Sequence, residues 1–287
     1  TCALPISINE LAAAFLSWMK MFHVEPYREA SRQGLIRHLV IRVNRKGESL
    51  VTVVAAGRRL PHPEALIDAL VPLGMVSLWL NDNRSATNVI LSESFHLIYG
   101  QSTLTETLFD LRFGLSPASF FQVNPLQTEK LYRTALAYAA LTPTDLLCDV
   151  YCGVGTITLT LARHCREAVG IEVVQAAVEN ARRNAALNGI GADRLRVFAG
   201  DVLSEADVSR RLAGEKFEII TANIVADVII RIAPLAYALC RSGGSFIASG
   251  IITERLEEVL SAIRDAGFRV AEQKNMDDWT AILSVKP

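Results

Sequence analysis

A glycine-containing segment offers the first recognisable chemistry in this sequence. Residues 149–156 read Asp-Val-Tyr-Cys-Gly-Val-Gly-Thr and follow an apolar run typical of a strand. Gly153 and Gly155 let the backbone approach a ligand closely, and a helix that starts after them presents free N–H groups. Glu172 stands nineteen residues after Gly153, where the next predicted strand ends. A carboxylate there can accept hydrogen bonds from both ribose hydroxyls of a nucleoside. The segment therefore predicts a nucleoside-cofactor site. The alternative for Glu172 is an exposed carboxylate at a helix start.

The pattern favours S-adenosylmethionine over a dinucleotide as that cofactor. A dinucleotide fingerprint needs a third glycine where this chain has Thr158. Asp201 follows the third strand and can accept the adenine amino group, with a turn cap as the alternative. Asn223 ends the fourth strand, near the place where a methyl group would be delivered. Methyl transfer needs alignment of donor and acceptor rather than a metal, and no metal-ligand spacing is visible.

Two periodicities divide the chain. An amphipathic helix over residues 8–22 is followed by short strands and a helix at 64–71, which predicts an α+β domain with a mostly antiparallel sheet. Asn81, Asp82 and Asn83 are interpreted as turn formers. The predicted strands after a first one near residues 35–42 are 48–56, 75–80, 87–91, 95–99 and 104–109.

From residue 125, strands and helices alternate, and the last two strands are too close for a crossover. This predicts the α/β fold of class I S-adenosylmethionine-dependent methyltransferases, a Rossmann-like seven-stranded sheet preceded by a smaller α+β domain. The predicted domains are an RNA-substrate domain over residues 1–120 and a cofactor-binding methyltransferase domain over 121–287.

Composition excludes several classes of protein. The chain has 287 residues, 51% of them hydrophobic, a net charge of -1 and five cysteines. This excludes a disordered chain and a disulfide scaffold, and no apolar run is long enough for a membrane span. No basic flank of a signal peptide precedes the first apolar run, so a cytoplasmic location is predicted. Residues 1–6 resemble a translated sequencing adapter and are interpreted as non-native, with an ordinary frayed terminus as the alternative.

A local excess of positive charge suggests an RNA partner. Residues 27–60 hold eight Lys or Arg and two Glu, and alternation along strands can direct several of them toward phosphate. A solvated sheet face is the alternative. Tyr27, His38 and Trp79 are candidates for stacking on bases, although isolated aromatic residues are more often part of a core.

Three motifs over about residues 8–190 resemble the RNA uridine carbon-5 methyltransferase family, most closely its bacterial large-subunit ribosomal RNA branch. They are the segment 119–129 (Ser-Phe-Phe-Gln-Val-Asn-Pro, then Gln-Thr-Glu), the pair 81–83 and 87–90, and the segment 149–156. The resemblance implies that S-adenosylmethionine is the cofactor and ribosomal RNA the partner. It also implies that the cofactor contacts Gln122, Tyr151, Thr156 and Glu172.

The catalytic elements of that family are absent at the matching positions. Its nucleophilic cysteine lies in a Ser-Cys-Asn-Pro segment, where this chain has Ala248-Ser249-Gly250-Ile251. Its Asp-Pro-Pro-Arg segment corresponds to Ala-Asn-Ile-Val at residues 222–225. Its proton-abstracting glutamate corresponds to Trp279, in the region of Asp277 and Asp278. Cys148, Cys152, Cys165 and Cys240 are interpreted as ordinary, semi-buried thiols. We therefore expect this chain to fail at uridine carbon-5 methylation, and we predict no metal cluster.

The last third, about residues 195–287, resembles the ribosomal-protein lysine methyltransferase family. The likeness rests on residues 217–227 and on Ala233-Pro234, Gly243-Gly244, 249–251 and Trp279. It implies that Asn223 contacts cofactor and orients an acceptor amine. The resemblances to the two families meet near residues 184–189, a stretch that both families share. One hypothesis is therefore that the chain is a chimera of an RNA methyltransferase front and a protein methyltransferase back. The sequence thus predicts an S-adenosylmethionine-dependent methyltransferase resembling 23S rRNA uracil-5 enzymes. The alternatives are N-methylation of a ribosomal protein amine and a non-catalytic RNA-binding remnant.

Overall fold

The computed structural model describes residues 6–122, 124–212, 214–276 and 278–287. Within them the chain forms two compact units. The N-terminal unit holds the described residues up to Thr107 together with Phe113–Ala118, and the C-terminal unit holds Leu108–Arg112 and the described residues from Ser119 onward. Among these residues there is no helix long and apolar enough to cross a membrane. The roles predicted for the two parts of the chain stay predictions.

The N-terminal unit is built on a four-stranded sheet of order β1-β2-β3-β4. Strands β2 and β3 are parallel and the two outer pairs are antiparallel, so the sheet is mostly antiparallel, as predicted. The elements are α1 (Ile6–Met21), β1 (Ile36–Val43), β2 (Ser49–Ala55), α2 (Pro63–Leu70), β3 (Met75–Asp82) and β4 (Phe95–Gly100), followed by the strand pair β5 (Leu104–Leu108) and β6 (Leu111–Leu115).

A single apolar cluster joins the helices of this unit to one face of its sheet. Phe15 and Trp18 of α1 and Leu66 of α2 are buried in the same cluster as Val53 of β2 and Leu80 of β3. The helices therefore form because their apolar stripes match the alternating apolar face of the central strands.

The strand predicted at residues 87–91 is wrong. These residues form a loop that is held by side-chain amides rather than by a strand ladder. Asn83, which is buried, donates to the carbonyl oxygens of Val89 (2.7 Å) and Ile90 (3.0 Å). Asn81 belongs to β3 and is not a turn residue; its amide donates to Ser92 and Ser94 carbonyls.

The basic stretch does not form one exposed face. The Arg37 side chain is only 3% exposed, pairs with Glu29 and donates to the Asn83 and Ser85 carbonyls, so it is a structural residue. Arg28 pairs with Glu25, and Arg58 pairs with Asp82. The expectation that alternation would direct several of these cations toward phosphate is therefore wrong for Arg37.

The C-terminal unit carries the predicted seven-stranded sheet, in the order β12-β13-β11-β10-β7-β8-β9. The strands from β11 to β9 run parallel, whereas β13 is antiparallel to both β11 and β12, as expected for the last two strands. The elements are α3 (Pro125–Ala139), β7 (Leu146–Asp149), α4 (Thr156–Ala162), β8 (Glu167–Glu172), α5 (Gln175–Leu187), β9 (Leu195–Ala199), α6 (Glu205–Leu212), β10 (Phe217–Asn223), α7 (Ala226–Leu239), β11 (Cys240–Ile252), α8 (Leu256–Asp265), β12 (Arg269–Met276) and β13 (Trp279–Val285).

The core of this unit fixes the strand ends that matter for chemistry. Ile229 of α7 and Val259 of α8 pack with Phe246 and Ile282 of the sheet in one buried cluster. Because β7, β8 and β10 are parallel, their carboxyl ends meet at one edge of the sheet. Ligands of open α/β sheets bind at that edge, and the segments that follow these strands are those singled out from the sequence.

Candidate cofactor site

A cleft opens at the carboxyl ends of β7 and β10. One wall is the segment that precedes α3, and the other is the glycine loop after β7. Five of the eight predicted cofactor residues, Gln122, Tyr151, Gly153, Thr156 and Asn223, line this cleft. Its other lining residues are Phe120, Phe121, Tyr132, Asp149, Cys152, Val154 and Ile157.

The glycine loop has the backbone that its sequence predicts. Gly153 and Gly155 have φ values of 55° and 87°, in the left-handed region that favours glycine. A Cβ added to Gly153 would meet no atom within 4 Å, so the space beside this residue is open to a ligand. Gly155 does not line the cleft; it caps α4 and packs against Ala181 of α5.

Glu172 holds this loop in place. It is only 8% exposed, so the alternative of an exposed helix-start carboxylate is wrong. Its Oε2 accepts a hydrogen bond from the Gly153 backbone N–H (3.0 Å), and its Oε1 accepts one from the Val174 N–H (2.9 Å). An ionised carboxylate offers about four acceptor positions, so each oxygen retains one for a further donor. The carboxylate therefore fits a ribose whose two hydroxyls approach along the open side of Gly153.

Asp201 caps its own turn, as the alternative interpretation expected. Its Oδ1 accepts a hydrogen bond from the Leu203 N–H at 2.9 Å, and the residue is exposed. It does not line the cleft. Burial raises the pKa of the Tyr151 hydroxyl, and the negative charges of Asp201 and Glu172 raise it further. The three side chains are thus within electrostatic reach of one another.

Asn223 sits where β10 ends, directly beside Ser249 of β11. The Ser249 hydroxyl donates to Asn223 Oδ1 at 3.1 Å, which sets the orientation of the amide. Gly250 has φ 83°, and a Cβ there would lie 2.9 Å from the Ile224 carbonyl oxygen and 3.0 Å from Asn223 Oδ1. Only glycine leaves room for the amide, so the 249–251 segment is shaped around Asn223.

Sequence reasoning missed two buried groups at the base of the cleft. Asp149 is fully enclosed; burial raises the pKa of its carboxyl to about 6, against the lowering effect of hydrogen bonds that include Thr158. The Thr158 hydroxyl donates to Asp149 Oδ2 at 2.5 Å, so the residue that breaks the dinucleotide fingerprint is a partner of this acid. Tyr132 of α3 shares a 2.6 Å hydrogen bond with Thr156. A carboxylate inside an apolar strand was the signal that could have revealed Asp149.

The described cysteines are buried thiols, as predicted. Cys148, Cys152, Cys165 and Cys240 are all free and buried. Burial raises the pKa of each thiol, in the cases of Cys165 and Cys240 to about 11. Thiolate is the nucleophilic form, so none of these four is poised to add to a pyrimidine ring. Among the described residues, no group of His, Cys, Asp and Glu can hold a metal ion. The predicted glutamate replacement falls partly on Asp277, which lies outside the described residues; Trp279 opens β13.

Comparison with known proteins identifies the class of this fold. Residues 127–287 match the family model of ribosomal protein L11 methyltransferase (PrmA). An uncharacterized RNA methyltransferase of Caldanaerobacter subterraneus subsp. tengcongensis is 35% identical over 288 residues, which cover 95% of this chain and 60% of that protein. Another, from Clostridium acetobutylicum, is 40% identical over 187 residues, 64% of this chain and 41% of that protein. This chain thus spans between about two fifths and three fifths of these relatives.

Two solved structures share the fold. The tRNA (uracil-54, C5)-methyltransferase of Pyrococcus abyssi, solved with S-adenosyl-L-homocysteine, has a TM-score of 0.72 at 19% identity and covers 96% of this chain and 66% of its own. The ribosomal protein L11 methylase of Lactobacillus delbrueckii subsp. bulgaricus has a TM-score of 0.50 at 23% identity, covering 57% and 81%. The fold is that of class I S-adenosylmethionine-dependent methyltransferases, as predicted.

The two likenesses overlap instead of meeting near residue 190. The L11 methyltransferase match begins at residue 127, well before the predicted position of 195. The Caldanaerobacter relative extends over 95% of the chain. The predicted limits of the two resemblances are therefore corrected.

Proposed function

Because the chain belongs to the ribosomal protein L11 methyltransferase family, we propose that it is an S-adenosylmethionine-dependent methyltransferase whose acceptor is an amino nitrogen. The observation that carries this proposal is that Asn223, oriented by the Ser249 hydroxyl, lines the same cleft as the glycine loop that Glu172 holds. A carboxamide oxygen accepts hydrogen bonds from an amine. The four described thiols are buried, so they are not placed to act as nucleophiles.

The residues of the site fit the cofactor. When bound, S-adenosylmethionine supplies a methyl group on a positively charged sulfonium. In this proposal Glu172 accepts hydrogen bonds from the ribose hydroxyls. Asp201 accepts one from the adenine amino group, beside Tyr151. Gly153 allows close backbone approach. Gln122 and Thr156 line the part of the cleft assigned to the amino-acid part of the cofactor, and Gly155 contributes only by capping α4.

The acceptor end of the cleft is organised by Asn223. Its Oδ1 takes one hydrogen bond from Ser249 and keeps a second lone pair for an N–H of the acceptor. This contact would turn the nitrogen lone pair toward the methyl group, and the enzyme's contribution is then alignment of two reactants. The site so described needs no covalent intermediate, which agrees with the loss of the Ser-Cys-Asn-Pro segment.

We propose a ribosomal protein amine as the acceptor, with ribosomal RNA as the second candidate. The first is supported by the family to which the chain belongs. The second is favoured by the RNA methyltransferase relative that extends over 95% of the chain. In both cases the C-terminal unit would transfer the methyl group and the N-terminal unit would recognise the substrate, in the cytoplasm. A non-catalytic RNA-binding chain is the outcome if no acceptor is methylated.

Labelled S-adenosylmethionine, offered with undermethylated ribosomal proteins and with undermethylated ribosomal RNA in parallel, tests the proposal. We expect label on a protein amine, and its transfer to fall at least about 100-fold in Asn223→Ala, because alignment by one residue can contribute that much. Ser249→Ala, which frees the amide but keeps its oxygen, should lose about tenfold. Label at carbon 5 of uridine would overturn the nitrogen acceptor, and label on an RNA amine would select the second candidate.

The chimera hypothesis is retained as a proposal about origin. Its basis is that residues 119–129 and 217–227 carry motifs of unlike families, whereas the match of one relative over 95% of the chain favours a single continuous gene. A contiguous read across codons 180–205 in an intact genome tests it. One uninterrupted gene would refute an assembly error.

A further inference from the structure

Asn180 and Asn184 lie on one face of α5, and Asn188 follows four residues later as the C-cap of that helix. Asn180 Nδ2 donates to Ser119 Oγ at 3.1 Å, and Asn184 Nδ2 donates to the Val154 carbonyl oxygen at 3.0 Å. Both contacts are buried, and Asn184 is only 1% exposed. A buried amide in a helix is costly unless it is satisfied, so these two side chains are committed to the segments they hold.

The two segments belong to the two walls of the cofactor cleft as defined above. Ser119 immediately precedes Phe120 and Gln122, which line one wall, and Val154 lies in the glycine loop that forms the other. Successive turns of one rigid helix thus hold both walls. Asn188, one turn further, exchanges hydrogen bonds with the Arg112 backbone (2.7 and 2.8 Å), and neither Asn188 nor Arg112 lines the cleft.

We infer that Asn180 and Asn184 are positioning residues that set the width of the cleft for the amino-acid part of S-adenosylmethionine, without touching the cofactor. This inference rests on the proposed function, since it assumes that the cleft takes this cofactor. Glu172 and Asp201, which are assigned to ribose and adenine, do not line the cleft. The two carboxylates assigned to the adenosine part thus lie outside the lining of the cleft, so we expect adenosine binding to depend less on the separation of the two walls than binding of the amino-acid part does.

That division gives the test its two ligands. S-adenosylmethionine engages both regions, whereas 5′-methylthioadenosine lacks the amino-acid part. In titration calorimetry with the full chain, we expect Asn184→Ala and Asn180→Ala to raise the Kd for S-adenosylmethionine about tenfold, the effect of one lost buried hydrogen bond. The Kd for 5′-methylthioadenosine should stay within about twofold of the parent value. Asn184→Ser, which keeps a donor, should recover part of the loss.

Asn188→Ala is the control, since it removes the same amide at the C-cap of the same helix, and both affinities should stay within about twofold. Equal weakening of both ligands in Asn184→Ala and Asn180→Ala, or no weakening at all, would overturn the inference while leaving the proposed function intact. Absence of S-adenosylmethionine binding by the parent chain would overturn the proposed function, and this inference with it. Should Asn184→Ala fail to fold, Asn184→Ser and Asn180→Ala decide the question by the same comparison.

Discussion

Exchanging Glu172 for glutamine separates the two tasks that this side chain is assigned. The native carboxylate accepts backbone N–H bonds from Gly153 (3.0 Å) and Val174 (2.9 Å), one on each oxygen. Glutamine keeps one acceptor oxygen but presents an NH₂ group to the other backbone donor. One partly buried N–H then loses its acceptor, which costs about 1 kcal/mol of unfolding free energy. One ribose hydroxyl loses a charge-assisted acceptor as well, which corresponds to about 1.5–3 kcal/mol, or between about ten- and a hundredfold in Kd.

Urea unfolding and titration calorimetry with S-adenosylmethionine measure the two quantities on the same preparation. The matched control is Glu179→Gln on α5, whose side chain is 49% exposed and pairs with Arg183. A surface pair of this kind contributes at most about 1 kcal/mol and should leave the affinity unchanged. If Glu172→Gln lost stability but bound cofactor as the parent does, Glu172 would only hold the loop, and its assignment to the ribose would be refuted.

Two further outcomes follow from buried contacts near the cleft. Since burial raises the pKa of Asp149 from 3.8 to about 6, the folded chain binds this proton more tightly than the unfolded chain. Proton binding by Asp149 therefore adds to the free energy of unfolding below about pH 4, and this added stability is lost as pH rises through about 6. This pH-dependent stability is of order 3 kcal/mol, and Asp149→Asn should remove it. Urea unfolding of the parent and the variant at pH 4.5 and 7 measures the difference in unfolding free energy. A difference that does not change with pH would contradict the argument. In Gly170→Ala the new Cβ would lie 2.9 Å from Cys152 Sγ, which should cost about 1–3 kcal/mol in unfolding free energy. Cys152→Ala in the same chain should recover part of this loss, and unchanged stability of the double variant relative to Gly170→Ala would argue against that clash.

Periodicity was sufficient to predict the C-terminal sheet. Apolar runs separated by helix-length segments leave few topologies, and the short connection before residues 279–285 permitted only an antiparallel last pair. The cofactor loop was predictable for the same reason. Glycines, a strand end and a carboxylate at the next strand end are local signals whose meeting point is fixed by parallel strands.

Features that depend on side-chain hydrogen bonds and ion pairs were not accessible from the apolar pattern of the sequence. Residues 87–91 have strand-like composition, but the amide of Asn83 takes their carbonyl groups and makes a loop instead. Arg37 belongs to a basic stretch, yet its partners are Glu29 and the Ser85 carbonyl. Neither contact changes the apolar spacing, and side-chain hydrogen bonds of this kind compete with secondary structure independently of that spacing.

The four buried cysteine thiols can also serve as internal probes of local stability. Cys148, Cys152, Cys165 and Cys240 react with an alkylating reagent only when the chain opens, because each is buried and its thiolate is disfavoured. After Cys2 is changed to serine, the rate of labelling at each position reports the opening free energy of its own region in native buffer. A ligand that binds the folded form slows this labelling in proportion to its occupancy. Cofactor analogues can thus be ranked by mass spectrometry before any methyl acceptor has been found.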